Sequence, residues 1–197
     1  MLMLMTATAS LAQNIRFRIQ APDAITLTKQ GSIDMAFDGL VLDSDMVSTI
    51  AIGDTHRMAV LAIDAPAHYE LTVYIEPANN DRLLLNGTES DQWIPFTLEF
   101  AYANPGYPVT ETYIKALTDA VEIPTGLGQI TFPVSSRASR LLPPPPSAKY
   151  GNYKVSKQRA FLFFYGRLGS TNAGNNVVAG TYETTIEVTI DFTSHEH

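Results

Sequence analysis

The stretch TYETTIEVTIDF, residues 181–192, decides the fold. Its largely apolar positions, from Tyr182 to Phe192, alternate with threonines and acids. Successive side chains of a β-strand point to opposite faces, so this alternation predicts a long strand with one buried and one solvated face. The preceding segment AFLFFYGRL, residues 160–168, is largely apolar at both odd and even positions. It therefore predicts a strand whose two faces are both buried. Together the two segments favour an all-β protein.

Shorter alternating segments separated by turn signals fill much of the remaining chain. The predicted strands lie at residues 25–28, 33–37, 46–52, 57–63, 69–75, 93–102 and 130–134. Turns are predicted at Asp64-Ala65-Pro66, Asn86-Gly87 and residues 104–108. Residues 109–121 are the one place where a helical period fits. Many short strands with turns between them predict an immunoglobulin-like antiparallel β-sandwich.

Composition excludes two classes of function. The chain has 197 residues, a length that suits one domain. Its 13 Lys and Arg against 20 Asp and Glu give a formal charge of −7, which makes nucleic acid a poor partner. It has no cysteine, and this rules out disulfides, thiolate zinc sites and cysteine nucleophiles.

The first residues are typical of an export signal. Residues 1–12, MLMLMTATASLA, are apolar and end in the small-x-small pattern Ser10-Leu11-Ala12 of a signal-peptidase site. The stretch is too short to span a bilayer and lacks a basic start, so we interpret it as a signal peptide that is truncated or has a misassigned start. A plain apolar terminus is the alternative. The four prolines at 143–146 predict a Pro-rich surface loop near 135–149.

Residues 13–22 form an amphipathic arm. Its alternate residues are apolar, Arg16 and Arg18 lie between them, and Pro22 ends the pattern. The apolar set consists of Ile15, Phe17, Ile19 and Ala21. The arm is either the first strand of its own domain or a strand donated to a neighbouring molecule whose sandwich is incomplete. In the second interpretation these four residues are the subunit-binding residues that fill pockets.

No catalytic signature is present. The triplet His195-Glu196-His197 lies at the chain end, where no second shell fixes ligands, and His56 and His68 flank turns. No nucleophile elbow, Walker loop or dinucleotide fingerprint occurs. The sequence therefore predicts no enzyme activity, no cofactor and no metal.

Both ends of the chain resemble a family. Residues 24–27 and 33–39 resemble the first strands of secreted spore coat protein U-like and chaperone–usher fimbrial subunits. Tyr165-Gly166-Arg167-Leu168, then Ala179-Gly180-Thr181-Tyr182 leading into the last strand, is similar to their closing segment. The resemblance covers about a third of the chain, while residues 104–158 depart from it as inserted loops. Because no disulfide is present, the branch stays open.

The resemblance implies a pilin-like domain at residues 23–197 and a structural role in a surface fibre. Such a subunit is exported through the periplasm, where a chaperone lends it a strand. An outer-membrane usher then joins it by donor-strand exchange to copies of itself or to related pilins. The product is an extracellular cell-surface fimbrium that could touch a host or abiotic surface.

Two other functions remain open. A self-contained secreted sandwich could act as an adhesin or glycan-binding module if its aromatic side chains are exposed. The residues concerned are Trp93, Tyr102, Tyr107 and Tyr113. A secreted hydrolase on a β scaffold is disfavoured because the sequence has no catalytic motif. The arm, residues 13–21, separates these hypotheses, because only a fibre subunit needs it for self-association.

Overall fold

The computed structural model describes residues 12–32, 34–37, 47–67, 69–77, 81–88, 91–136, 157–169 and 177–194. The strands are β1 (Ala12–Gln20), β2 (Thr26–Lys29), β3 (Met35–Phe37), β4 (Ser48–Ile50), β5 (Ala59–Pro66), β6 (Tyr69–Pro77), β7 (Arg82–Leu85), β8 (Trp93–Tyr107), β9 (Val121–Glu122), β10 (Gln129–Pro133), β11 (Lys157–Leu168) and β12 (Thr181–Ser194). A short helix α1 (Tyr113–Ala116) runs into a 3-10 helix, Leu117–Asp119. The predicted all-β class is confirmed, and the predicted helical segment is present in shortened form.

The strands form a curled, sandwich-like sheet. On one side β12 pairs with β6 and β7, and β6 pairs with β10. On the other side β11 lies between β8 and β5, and β5 pairs with β2. The long strand β8 links the two parts, because its first residues pair with β7 and the rest pair with β11. The core therefore lies between β12 and β11, the two strands that the sequence marks most strongly.

The buried faces of β12 and β11 agree with the sequence patterns. Tyr182, Ile186, Val188 and Ile190 of β12 are buried, and the acids between them are not. In β11 every residue from Arg159 to Gly166 is buried, as expected of a strand covered on both faces. Gly166 is required where β11 crosses β8, because a Cβ there would clash with the carbonyl oxygen of Thr97.

Two predicted turns are wrong, because the strands continue through them. β5 extends through Asp64 to Pro66, and Asp64 forms a buried two-pronged ion pair with Arg159, both N···O distances being 2.7 Å. This pairing also raises the pKa of the Arg159 guanidinium above its usual value. β8 extends to Tyr107, since the β11–β8 pairing shifts register at Arg159 and absorbs the irregular Pro105-Gly106 segment.

The two short strands that follow β1 lie on different sides of the sandwich. β2 pairs with β5, whereas β3 pairs with β1. All pairs of these named strands are antiparallel, as predicted, except that β1 runs parallel to β12. This single parallel pair makes the sheet mixed.

Several predictions fall outside the described residues. These are the signal peptide over residues 1–11, the Pro-rich loop from 137 onward, His68 and the terminal His195-Glu196-His197. Ala12, the last residue of the predicted signal peptide, begins β1.

Candidate subunit interface

The candidate site is β1 and the groove that holds it. All nine residues of β1 pair with β12, from Ala12 opposite Thr181 to Gln20 opposite Thr189. On its other side, residues 13–15 pair with β3. The first half of the arm therefore lies between β12 and β3.

The structure places the four predicted pocket-filling residues on one face, toward the core. Ile15 is fully buried, and Phe17, Ile19 and Ala21 are partly buried against the core. The ring of Phe17 lies 4.7 Å from the ring of Phe164 in β11, on the opposite side of the sandwich. The arm thus closes the core between β12 and β11.

Burial of the arm decreases along its length. Ile15 lies where β3 covers the outer edge of β1, while Phe17 and Ile19 lie beyond β3. Among the described strands, none pairs with the outer edge of residues 16–20. The second half of the arm is therefore an edge strand whose main-chain groups face outward.

The outward residues of the arm form ion pairs with β12. An Arg16 nitrogen lies 3.1 Å from a Glu183 carboxylate oxygen, and an Arg18 nitrogen lies 3.0 Å from one of Glu187. The side chains of Arg16 and Arg18 are 60% and 66% exposed, so water screens both contacts. These contacts add little affinity, and the inward apolar residues hold the arm.

Gln13 is the one polar residue that the arm directs inward. It is 1% exposed, and neither its Oε1 nor its Nε2 has a hydrogen-bond partner within the described structure. An unpartnered buried polar group costs about 1–3 kcal/mol. Gln13 therefore offsets part of the stability that Ile15 contributes. The burial of Gln13 could have been predicted from the sequence, because Gln13 lies at the same alternate positions as Ile15 and Phe17.

The arm leaves the groove through a tight turn. The amide of Ile25 donates to the carbonyl of Pro22 at 3.0 Å, and the chain then enters β2 on the other side of the sandwich. Residues 21–25 are the connection that must change conformation if β1 is to leave its own groove. The proline fixes its own φ and supplies no amide hydrogen to a ladder, so β1 ends before it.

No protein-family model matches this chain, and no curated protein matches it. The resemblance to fimbrial subunits stays a hypothesis, and the groove has to be interpreted from its own chemistry.

The described residues outside the arm and its groove were also candidates for a metal site and for a membrane-spanning helix. Across the residues that the structure describes, no group of three His, Asp or Glu side chains could hold a metal, and no helix is long and apolar enough to cross a membrane. His56 is exposed, as expected.

Most of the aromatic side chains that could stack on sugars are buried or covered by other side chains. Tyr102 stacks on Phe132 at 4.4 Å, Tyr107 is buried, and Arg82 lies 4.2 Å above the half-buried Trp93 ring. Tyr113 is also half-buried. These four rings therefore form no open platform of the kind that the glycan-binding alternative needs.

Proposed function

We propose that this chain is a structural subunit of a bacterial surface pilus or fibre that polymerises by donor-strand exchange of its N-terminal arm. The observation that carries the proposal is the position of β1, which lies between β12 and β3 at residues 13–15 and is an edge strand on β12 at residues 16–20. β1 contacts the rest of the chain through its pairing with β12 and β3 and through its inward apolar side chains. A second copy of the same strand could make the same contacts.

The groove needs an occupant. Ile15 and Phe17 of β1 cover apolar surface on β12 and β11. If β1 left the groove, that surface would be exposed to water. Exposing such surface costs roughly 25 cal/mol per Å². The main-chain groups along β12 would also lose their partners. A chain whose arm has left its groove is therefore stabilised by an incoming strand whose apolar residues alternate as those of β1 do.

Exchange between copies produces a fibre. If the arm of one molecule fills the groove of the next, each molecule gives one strand and receives one, and the contact is head to tail. Such contacts propagate instead of closing. Pro22 and the turn after it provide the connection about which the arm would swing.

The partners that we propose come from the resemblance to chaperone–usher fimbrial subunits. A periplasmic chaperone would lend a strand to the groove before assembly, and an outer-membrane usher would catalyse its replacement by the arm of the next subunit. Export and an extracellular, cell-surface location are parts of this proposal. The fibre itself needs no cofactor or catalytic residue, because assembly uses strand pairing alone.

The proposal is tested with full-length protein and two charge insertions on the same strand. Phe17→Asp places a carboxylate on the inward face, and Gln20→Asp places the same charge on the exposed face as a matched control. Light scattering and unboiled gel electrophoresis should show multimers for the unmodified and Gln20→Asp chains and none for Phe17→Asp. Circular dichroism confirms that each variant keeps its β-structure.

Two results would count against the proposal. An unmodified chain that stays monomeric at every concentration would make β1 an ordinary first strand, and glycan binding would be tested next. A folded Phe17→Asp chain that still forms multimers would mean that another surface joins the subunits.

A further inference from the structure

The outer face formed by β12, β6 and β10 is acidic, and the arm crosses its edge. Among the outward residues of β1, β6, β10 and β12, the only bases are Arg16 and Arg18 of β1. The acids on the same face are Glu70, Glu76, Glu183, Glu187 and Asp191. The arm therefore supplies the positive charge on these four strands. On the neighbouring β7, Arg82 also points outward and lies 4.2 Å above the Trp93 ring.

Two of these acids face each other across the strands. Glu187 of β12 lies directly opposite Glu76 of β6, and like charges in such pairs repel. Arg18 contacts Glu187 at 3.0 Å from the other side. The second base, Arg16, lies 3.1 Å from Glu183. The arm thus reduces a repulsion that the rest of the sheet contains.

We propose that the groove selects its occupant by charge, and that Arg16 and Arg18 on the arm and Glu183 and Glu187 on β12 determine this specificity. The inference rests on the proposed function and identifies its partner. That partner is a second copy of this chain, whose arm is basic at both outward positions. Arms that are acidic there are rejected.

Selection by charge depends on which face of the incoming strand carries the arginines and not on the direction of that strand. Side chains alternate with a period of two, so outward residues stay outward whether an incoming strand runs parallel or antiparallel to β12. An arm entering from another molecule therefore presents its two arginines to the same acidic face.

Weak contacts are sufficient for selection. Each pair is exposed, so its attraction contributes little to affinity. Reversing the sign on one partner replaces attraction with repulsion at two neighbouring positions, and specificity depends on this difference. We expect a reduction of roughly tenfold in assembly rate at low salt, which largely disappears at about 1 M salt because the charges are screened.

The test uses three full-length variants. Arg16→Glu/Arg18→Glu reverses the arm, Glu183→Arg/Glu187→Arg reverses the groove, and the fourfold variant reverses both. Each double variant alone has an arm and a groove of like charge. When the two are mixed, the acidic arms match the basic grooves and the basic arms match the acidic grooves.

The expected result is slow assembly of each double variant alone. Mixing the two should restore assembly as an alternating copolymer, and the fourfold variant should assemble like the unmodified chain. Double variants that assemble at the unmodified rate in low salt would overturn the inference. So would a mixture and a fourfold variant that both remain slow.

Failure of the inference can be distinguished from failure of the proposed function. If the unmodified chain does not assemble, the proposed function fails. In that case the ion pairs between the arm and β12 are tested within the monomer by thermal denaturation in low salt. The fourfold variant should then melt at a higher temperature than either double variant. Equal melting temperatures would overturn the inference by themselves.

Discussion

The ring of Phe17 in β1 lies 4.7 Å from the ring of Phe164 in β11. This contact joins the N-terminal arm to the strand at the centre of the opposite side of the sandwich. The arm therefore contributes to the core as well as to the edge of the sheet, and its departure must either expose Phe164 or bring in a replacement strand.

Phe17→Ala should lower the free energy of unfolding by about 2 kcal/mol, less than for a fully buried phenylalanine because Phe17 is only partly buried. Urea denaturation of the monomer measures this, and Gln20→Ala on the exposed face of the same strand is the control. An unchanged stability for Phe17→Ala would mean that the arm does not occupy its own groove in solution.

Gln13→Leu should raise the free energy of unfolding by about 1–3 kcal/mol, because it removes two buried polar atoms without partners and keeps the side-chain volume similar. The exposed Gln20→Leu is the control and should change stability by less than about 0.5 kcal/mol. Under the proposed function Gln13→Leu should also slow assembly, since the arm leaves its own groove less readily. A destabilised variant would show that the amide is hydrogen-bonded.

Asp64→Asn should destabilise the fold by about 3–5 kcal/mol, because it leaves the buried Arg159 without its counter-charge. The control is Asp54→Asn, whose partner Arg57 is 35% exposed, and its expected cost is below about 1 kcal/mol. Chemical denaturation compares the two variants. Similar small losses for both would contradict the buried pair.

Tyr165 should make the fold sensitive to alkali. Burial, together with the nearby Glu122 and Glu99, raises the pKa of Tyr165 from 10.0 to about 12. The neutral phenol is favoured in the folded state, so its contribution to stability is complete below pH 10 and is lost as the pH rises toward 12. Stability measured across this window should fall less in Tyr165→Phe than in the unmodified chain. Equal declines would place the titrating group elsewhere.

The strands could be predicted largely from side-chain alternation. The pattern of residues 181–192 defines both the extent and the buried face of β12, and the double-sided apolar run defines β11. The turn at Asp64 was predicted wrongly because Asp and Pro usually end strands. The burial of Asp64 depends on Arg159, which lies 95 residues later in the chain.

The position of the arm could be predicted only in part. Alternation indicated which face of β1 is apolar, and that face is directed inward. The alternation of apolar and polar residues does not indicate which strand β1 pairs with or in which direction. The parallel pairing with β12 could therefore not be predicted from the sequence. The ion pairs of Arg16 and Arg18 were missed for the same reason, because their partners depend on that pairing.

A reversible cross-link between the arm and its groove tests strand exchange most directly. Arg16 lies opposite Thr185 in the β1–β12 register, and the chain has no cysteine of its own. Arg16→Cys/Thr185→Cys can therefore form one disulfide, since paired residues of adjacent strands lie within the usual Cα range. Arg16→Ser/Thr185→Ser is the control with the same loss of charge.

If the arm is exchanged, the oxidised monomer should stay monomeric and should assemble after reduction, as the serine control does. If the incoming arm also keeps the parallel register of β1, oxidation after assembly should give a covalent ladder on a non-reducing gel. An oxidised monomer that assembles as fast as the serine control would contradict strand exchange.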